Sequence, residues 1–158
     1  MIILGIDPGT ATTGYGIIKN SSNKLELIDY GCIKTTTNKS TAGRLFIIDE
    51  GLTEIIKKHK PNQVAVEDIF FFKNLKTAVK VSQARGVILS CIARNKLPVQ
   101  EYTPLQVKQA VASYGRAEKS QIQKMVKRLL KLKQIPKPDD AADALAVAIC
   151  CANSIKYN

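Results

Sequence analysis

The alternation of apolar and polar positions marks out the elements of this chain before any single residue is interpreted. Ile2 to Ile6 is apolar on both faces, the pattern of a central buried strand. Asp7-Pro8-Gly9-Thr10 is a turn signal, and Tyr15 to Lys19 then reads as a second strand. Asn20 to Asn23 makes another turn before a third strand, Leu25 to Ile33. Short turns between neighbouring strands predict an antiparallel meander. Leu45, Ile48, Leu52, Ile55 and Ile56 then recur at helical spacing from about Thr41 to Lys58, with Pro61 beyond the end. Gln63 to Val66 is a short strand that ends at Glu67. A long helix over Leu75 to Arg94 and a strand over Pro98 to Tyr102 follow. Helices near Pro104 to Ala112, Glu118 to Leu132 and Asp140 to Ser154 complete the order βββαβαβααα. This order predicts an α/β fold: a mixed sheet, made of the three-strand meander plus two further strands, flanked by helices. No repeat or Gly/Ser linker interrupts it, so residues 1–158 read as one domain.

The helix around residue 120 has two unlike faces. Ile122, Met125, Val126, Leu129 and Leu130 form an apolar stripe, while Lys124, Lys127, Arg128 and Lys131 lie largely off it. Ser120 with Gln123 has the spacing of a capping box.

Charge extends this local picture to the whole chain. Lys and Arg number 24 against 13 Asp and Glu, a net charge of +11. Between Lys108 and Lys137 there are nine basic residues and one acidic one, Glu118. A polyanion is the expected partner of such a segment. No apolar run approaches the roughly 18 residues of a membrane span. The N-terminus lacks a basic leader and a small-residue cleavage site, so a soluble intracellular protein is expected. Cys32, Cys91, Cys150 and Cys151 contain no C-x-x-C spacing, which predicts buried, reduced thiols rather than zinc ligands or disulfides. His59 is the only histidine and sits among lysines, a poor setting for a nucleophile-histidine enzyme.

Most of the acidic residues fall at ordinary polar positions; four do not. Asp7 ends the most apolar strand, and Glu67 ends Val-Ala-Val-Glu. Asp140 and Asp143 are spaced i, i+3 at the start of an Ala-rich helix, so both point to one side. Alanines 141, 142 and 144 let that helix come close to a sheet. Turn formation accounts for Asp7 taken alone. Asp139 or Asp140 has the position of an N-cap, and Asp143 would also favour the helix dipole. If the strands bearing Asp7 and Glu67 are adjacent and the last helix crosses their ends, however, the four carboxylates converge and repel unless a cation compensates. Hard oxygen ligands suit Mg²⁺ or Mn²⁺. Two such ions roughly 3.5–4 Å apart serve phosphodiester hydrolysis.

The stretch Ile3-Leu-Gly-Ile-Asp7-Pro-Gly-Thr-Ala-Thr-Thr-Gly-Tyr-Gly16 resembles the opening of the RuvC family of bacterial Holliday junction resolvases. The likeness continues through Val64-Ala-Val-Glu67-Asp-Ile-Phe70, Gln83-Ala-Arg-Gly86, Gln106-Val-Lys108-Gln, Ala117-Glu-Lys119-Ser-Gln and Asp140-Ala-Ala-Asp143-Ala-Leu. The resemblance implies an RNase H-like fold and a homodimer that nicks two opposed strands of a four-way DNA junction with Mg²⁺. It also implies RuvA and RuvB branch-migration proteins as partners, in recombination and repair in the bacterial cytoplasm. By position, Asp7, Glu67, Asp140 and Asp143 match the family's metal-binding catalytic residues. Lys108 and Lys119 match basic residues near the scissile phosphate, and Phe70 matches a base-stacking position. Lys73, Arg116 and Lys124 are further candidate DNA contacts. Asp139 is an additional carboxylate beside Asp140; the spacing to Asp143 selects Asp140. Gly86 lies mid-helix, where glycine costs about 1 kcal/mol against alanine, and close approach of a second helix would account for it.

Two other readings are carried forward. Asp7-Pro8-Gly9-Thr10 also looks like the first phosphate loop of actin-like ATPases and sugar kinases, although no G-x-x-x-x-G-K-[ST] accompanies it and no nucleotide is expected. A nuclease-like domain that binds structured DNA without cutting it is the third.

Overall fold

Side chains of a strand alternate between the faces of its sheet, and the first strand here is covered on both. In the computed structural model, which describes residues 1–22, 24–68 and 75–155, β1 (Ile2–Asp7) runs through the middle of a five-stranded sheet. β2 (Thr12–Ser21) and β3 (Lys24–Lys34) form the antiparallel meander beside it. β4 (Gln63–Glu67) pairs parallel with the other side of β1, and β5 (Val99–Tyr102) pairs parallel with β4. The order across the sheet is β3-β2-β1-β4-β5. Tight turns give the antiparallel pairs and helical crossovers give the parallel ones. This is the mixed, helix-flanked sheet of the RNase H-like architecture.

Two apolar layers enclose the sheet. On one face α1 (Thr41–His59) and α2 (Leu75–Arg94) bury Ile48, Leu52, Ala84 and Ile88 against Leu4, Ile6, Ile17 and Val66. On the other, α3 (Pro104–Ala112), α4 (Lys119–Leu129) and α5 (Asp139–Ser154) pack over Ile3, Ile18 and Ala65. α5 is buried on nearly every side from Ala144 to Ala152, so it is a core element rather than an amphipathic cover.

The approach of α5 to the sheet is set by glycines. A Cβ at Gly5 would stand 2.2 Å from the Ala144 carbonyl oxygen, and one at Gly14 would stand 2.0 Å from that of Asp140. Neither contact is physical, so only glycine allows the helix backbone to lie this close. The alanines anticipated for α5 are half of this fit; the glycines opposite them are the other half.

Three details differ from expectation. β2 begins at Thr12 rather than Tyr15, because Asp7 and Gly14 are already paired in the ladder with β1. α4 stops at Leu129, and Lys131 has a φ of 53°, so the helix ends before Leu132. Its capping box joins Glu118 to Gln121, whose Oε1 accepts from the Glu118 N–H at 2.8 Å. The helix starts at Lys119, which leaves Ser120 and Gln123 inside it.

Candidate active site

Strand period places the first two carboxylates. Ile3, Gly5 and Asp7 share the α5 face of β1, and Ala65 and Glu67 share the same face of β4. Ile6 pairs with Val66 in the parallel register, so Asp7 and Glu67 leave adjacent strands side by side. The two carboxyls are near enough that Glu67 is the foremost charge acting on Asp7. Asp140 and Asp143 come from the first turns of α5, held near Asp7 by the contact at Gly14. Pro138, not Asp139 or Asp140, is the N-cap of α5, and no side chain caps it. Asp139 pairs with Lys137 at 2.7 Å and lies 3.8 Å from Lys119, while Asp140 is one of the charges acting on Asp7.

Electrostatics report the convergence. The Asp7 carboxyl is pushed up to about 8, first by burial and then by repulsion from Glu67, Asp143 and Asp140. Glu67 is pushed up to about 7, first by burial and then by Asp143. Asp143 is also raised, chiefly by burial, although Lys119 Nζ lies 2.8 Å from its Oδ2 and opposes the shift. Lys108 and Lys119 act in the same stabilising direction on Glu67. Lys108 belongs to α3, which Thr103 caps by accepting from the Gln106 N–H at 3.3 Å. Glu67, Lys108, Lys119 and Asp143 line a cavity of about 200 Å³ together with Pro104 and Val107.

The donor set fits a hard divalent cation. It is composed of carboxylate oxygens, carries an excess of negative charge, and is only partly neutralised by one ammonium group. Among the described residues, no three His, Cys, Asp or Glu side chains meet closely enough to hold an ion in this arrangement. Lys119, paired with Asp143, and Lys108 place positive charge beside these carboxylates.

This predicts a pH-dependent stability without divalent ions. Folded Asp7 keeps its proton up to about 8, whereas the unfolded chain releases it near the ordinary carboxylate value of 3.8. The stability tied to that proton is fully present below about pH 4 and is lost as pH rises through about 8. Thermal melts in EDTA should therefore shift upward as pH falls from about 8 to about 5. Mg²⁺ added at the alkaline end should raise the melting temperature. A flat profile, or no response to the cation, would contradict the arrangement.

The remaining candidates lie elsewhere. Arg116 and Lys124 are exposed, and Lys124 with Tyr114, Met125 and Arg128 borders a separate hollow of about 400 Å³. Phe70 and Lys73 lie outside the described residues. Cys91, Cys150 and Cys151 are buried as expected, but Cys32 is half-buried, because its position on β3 opposite Gly14 is near the end of the sheet where the cluster opens. The phosphate-loop reading loses its support: a Cβ at Gly9 would stand 2.2 Å from the Thr12 carbonyl oxygen, so this glycine serves a tight turn. Thr10 Oγ1 and Thr13 Oγ1 donate inward, to the carbonyls of Lys80 and Gly9, each at 2.7 Å.

Comparison with known proteins agrees with this geometry. The family model described as crossover junction endodeoxyribonuclease RuvC matches residues 3–151. The RuvC of Halothermothrix orenii is 56% identical over 158 residues, covering 100% of this chain and 96% of the relative. That of Heliobacterium modesticaldum is 57% identical over 157 residues, covering 99% and 97%. The solved structure of Thermus thermophilus RuvC in complex with Holliday junction substrate superposes with a TM-score of 0.89 at 34% identity, covering 97% of this chain and 94% of that one. The chain belongs to the RuvC family of crossover junction endodeoxyribonucleases.

Proposed function

We propose that residues 1–158 form one nuclease domain that resolves four-way DNA junctions, with Asp7, Glu67, Asp140 and Asp143 as the ligands of two Mg²⁺ ions. The observation that carries this reading is the meeting of Asp7 and Glu67 with the start of α5 beside a cavity rimmed by Lys108 and Lys119. When bound, the Mg²⁺ pair, or Mn²⁺ in its place, supplies Lewis acidity for attack of water on the phosphodiester. The P–O3′ bond breaks, leaving a 5′-phosphate and a 3′-hydroxyl. Lys108 and Lys119 face the scissile phosphate and neutralise charge on its oxygens. Phe70 stacks on a base opened at the crossover, with Lys73, Arg116 and Lys124 on the phosphates of the arms.

Two symmetric nicks call for two sites, hence a homodimer with two-fold symmetry. The outer faces of α1 and α2 suit that contact: Phe46 is 59% exposed and Val79 55% exposed. A Cβ at Gly86 would meet nothing within 4 Å, so among the described residues no contact requires glycine there. No helix among the described residues is long and apolar enough to cross a membrane. The enzyme works in the bacterial cytoplasm beside the RuvA and RuvB branch-migration proteins.

The deciding experiment incubates a synthetic four-way junction with Mg²⁺ or EDTA, against a linear duplex of the same sequence. Paired nicks at symmetric positions are expected with Mg²⁺ only and on the junction only. Cutting in EDTA, or equal cutting of the duplex, would overturn the reading.

A further inference from the structure

α2 is tied to the chain at two places that follow the site carboxylates, and neither tie is apolar packing. Thr10, three residues beyond Asp7, is buried and donates from Oγ1 to the Lys80 carbonyl oxygen at 2.7 Å. Further along α2, Arg85 reaches Asp68, the residue after Glu67, with Nη2 to Oδ1 at 3.0 Å, and also pairs with Glu101 on β5. The Asp68 N–H in turn donates to the Tyr102 carbonyl oxygen at 2.7 Å, which anchors the gripped residue to the sheet end.

As a stabilising device the arginine is a poor choice. Its Nε is buried without an acceptor among the described residues, and an idle buried donor costs free energy. Its partners Asp68 and Glu101 are open to solvent, and ion pairs in contact with water add little stability. What the planar guanidinium provides, with Nη2 meeting both Asp68 and Glu101, is a fixed separation between α2, the end of β4 and β5. Thr10 does the same for α2 and the turn that leaves β1.

The geometry points to Thr10 and Arg85 as positioning residues that hold Asp7 and Glu67 at one spacing and join them to α2 as a rigid unit. The inference rests on the reading of Asp7 and Glu67 as metal ligands. The outer side of α2, where Val79, Ser82, Gln83, Gly86 and Ser90 are partly or wholly exposed, lies opposite its buried Ala84 and Ile88. A second protomer seated there bears on the carboxylates through these two ties.

The test uses the full chain, Thr10→Val (shape kept, donor removed) and Arg85→Lys (charge kept, rigid planar group and its reach removed). Mn²⁺ uptake is followed by electron paramagnetic resonance, beside junction affinity in EDTA, cleavage rate and dimer fraction by sedimentation. Outer partners of metal ligands are worth about 10–100-fold in affinity or activity. Each variant should therefore need roughly tenfold more Mn²⁺ for half-saturation. Cleavage at limiting Mn²⁺ should fall in step, with junction affinity and dimer fraction unchanged. Unaltered Mn²⁺ half-saturation in both variants, or a loss that follows the dimer fraction, would overturn the inference. If Arg85→Lys does not fold, Thr10→Val carries the same test alone. Wild-type protein that takes up no Mn²⁺ would overturn the metal-site reading and this inference together; normal wild-type uptake with unaltered variants would overturn the inference alone.

Discussion

Asp7→Asn abolishes cleavage and leaves junction binding in place. The amide keeps the size of the side chain and removes its charge, so the strand ladder and the packing of α5 over Gly5 and Gly14 have no reason to change. What changes is the charge balance. Asp7 is pushed up to about 8, first by burial and then by repulsion from its neighbours, so above that pH the amide removes a buried, repelled charge. The variant should therefore be at least as stable as wild type in EDTA, and less responsive to Mg²⁺. Outer partners of metal ligands alone cost about 10–100-fold, so losing a direct ligand should cost more than about 100-fold in cleavage rate. Junction affinity measured in EDTA should be unchanged below about pH 8, where Asp7 holds its proton, and rise slightly above it, because one negative charge has then left a surface that faces phosphate. Cleavage within a few-fold of wild type would remove Asp7 from the mechanism.

Junction affinity falls steeply with added salt. Of the nine basic residues between Lys108 and Lys137, all but Lys108 and Lys127 are exposed, while Ile122, Val126 and Leu130 go into the core. One side of α4 is thus committed to packing and the other to charge. A duplex arm lying on that side displaces condensed counterions with each phosphate contact. Six or more contacts would lower affinity by roughly 10³-fold between 50 and 200 mM salt. Replacing Lys124 by Gln should reduce the slope of log affinity against log salt by about 1, without altering which sequences are cut. A flat response to salt would mean that the basic segment does not face the DNA.

The legible part of the site was its inventory. Asp7 and Glu67 stand out because each ends an apolar strand, and Asp140 with Asp143 because of their i, i+3 spacing. Lys108 and Lys119 lie in the basic segment that counting charge marks, but it is the likeness to RuvC that singles them out. The supports of these residues were harder to see. Gly5, Gly14 and Gly16 look like ordinary turn or strand glycines, and only the α5 backbone lying on them explains why they carry no side chain. Their alternate spacing, opposite an alanine-rich helix, was the available signal. Thr10 and Arg85 gave no local sign at all, since their partners lie 70 residues away for Thr10, and at Asp68 and Glu101 for Arg85.

Periodicities of 2 and 3.6 residues are local properties, and so residue type and spacing alone were enough to determine the order of strands and helices, the apolar and basic sides of α4, and the likeness to RuvC. Which carboxylates share a face is not local. It depends on the parallel register of β1 with β4, on how near α5 can come to β2, and on which of Asp139 and Asp140 the first helical turn directs to the cluster. Those are outcomes of close packing between segments distant in sequence, and only the assembled chain decides them.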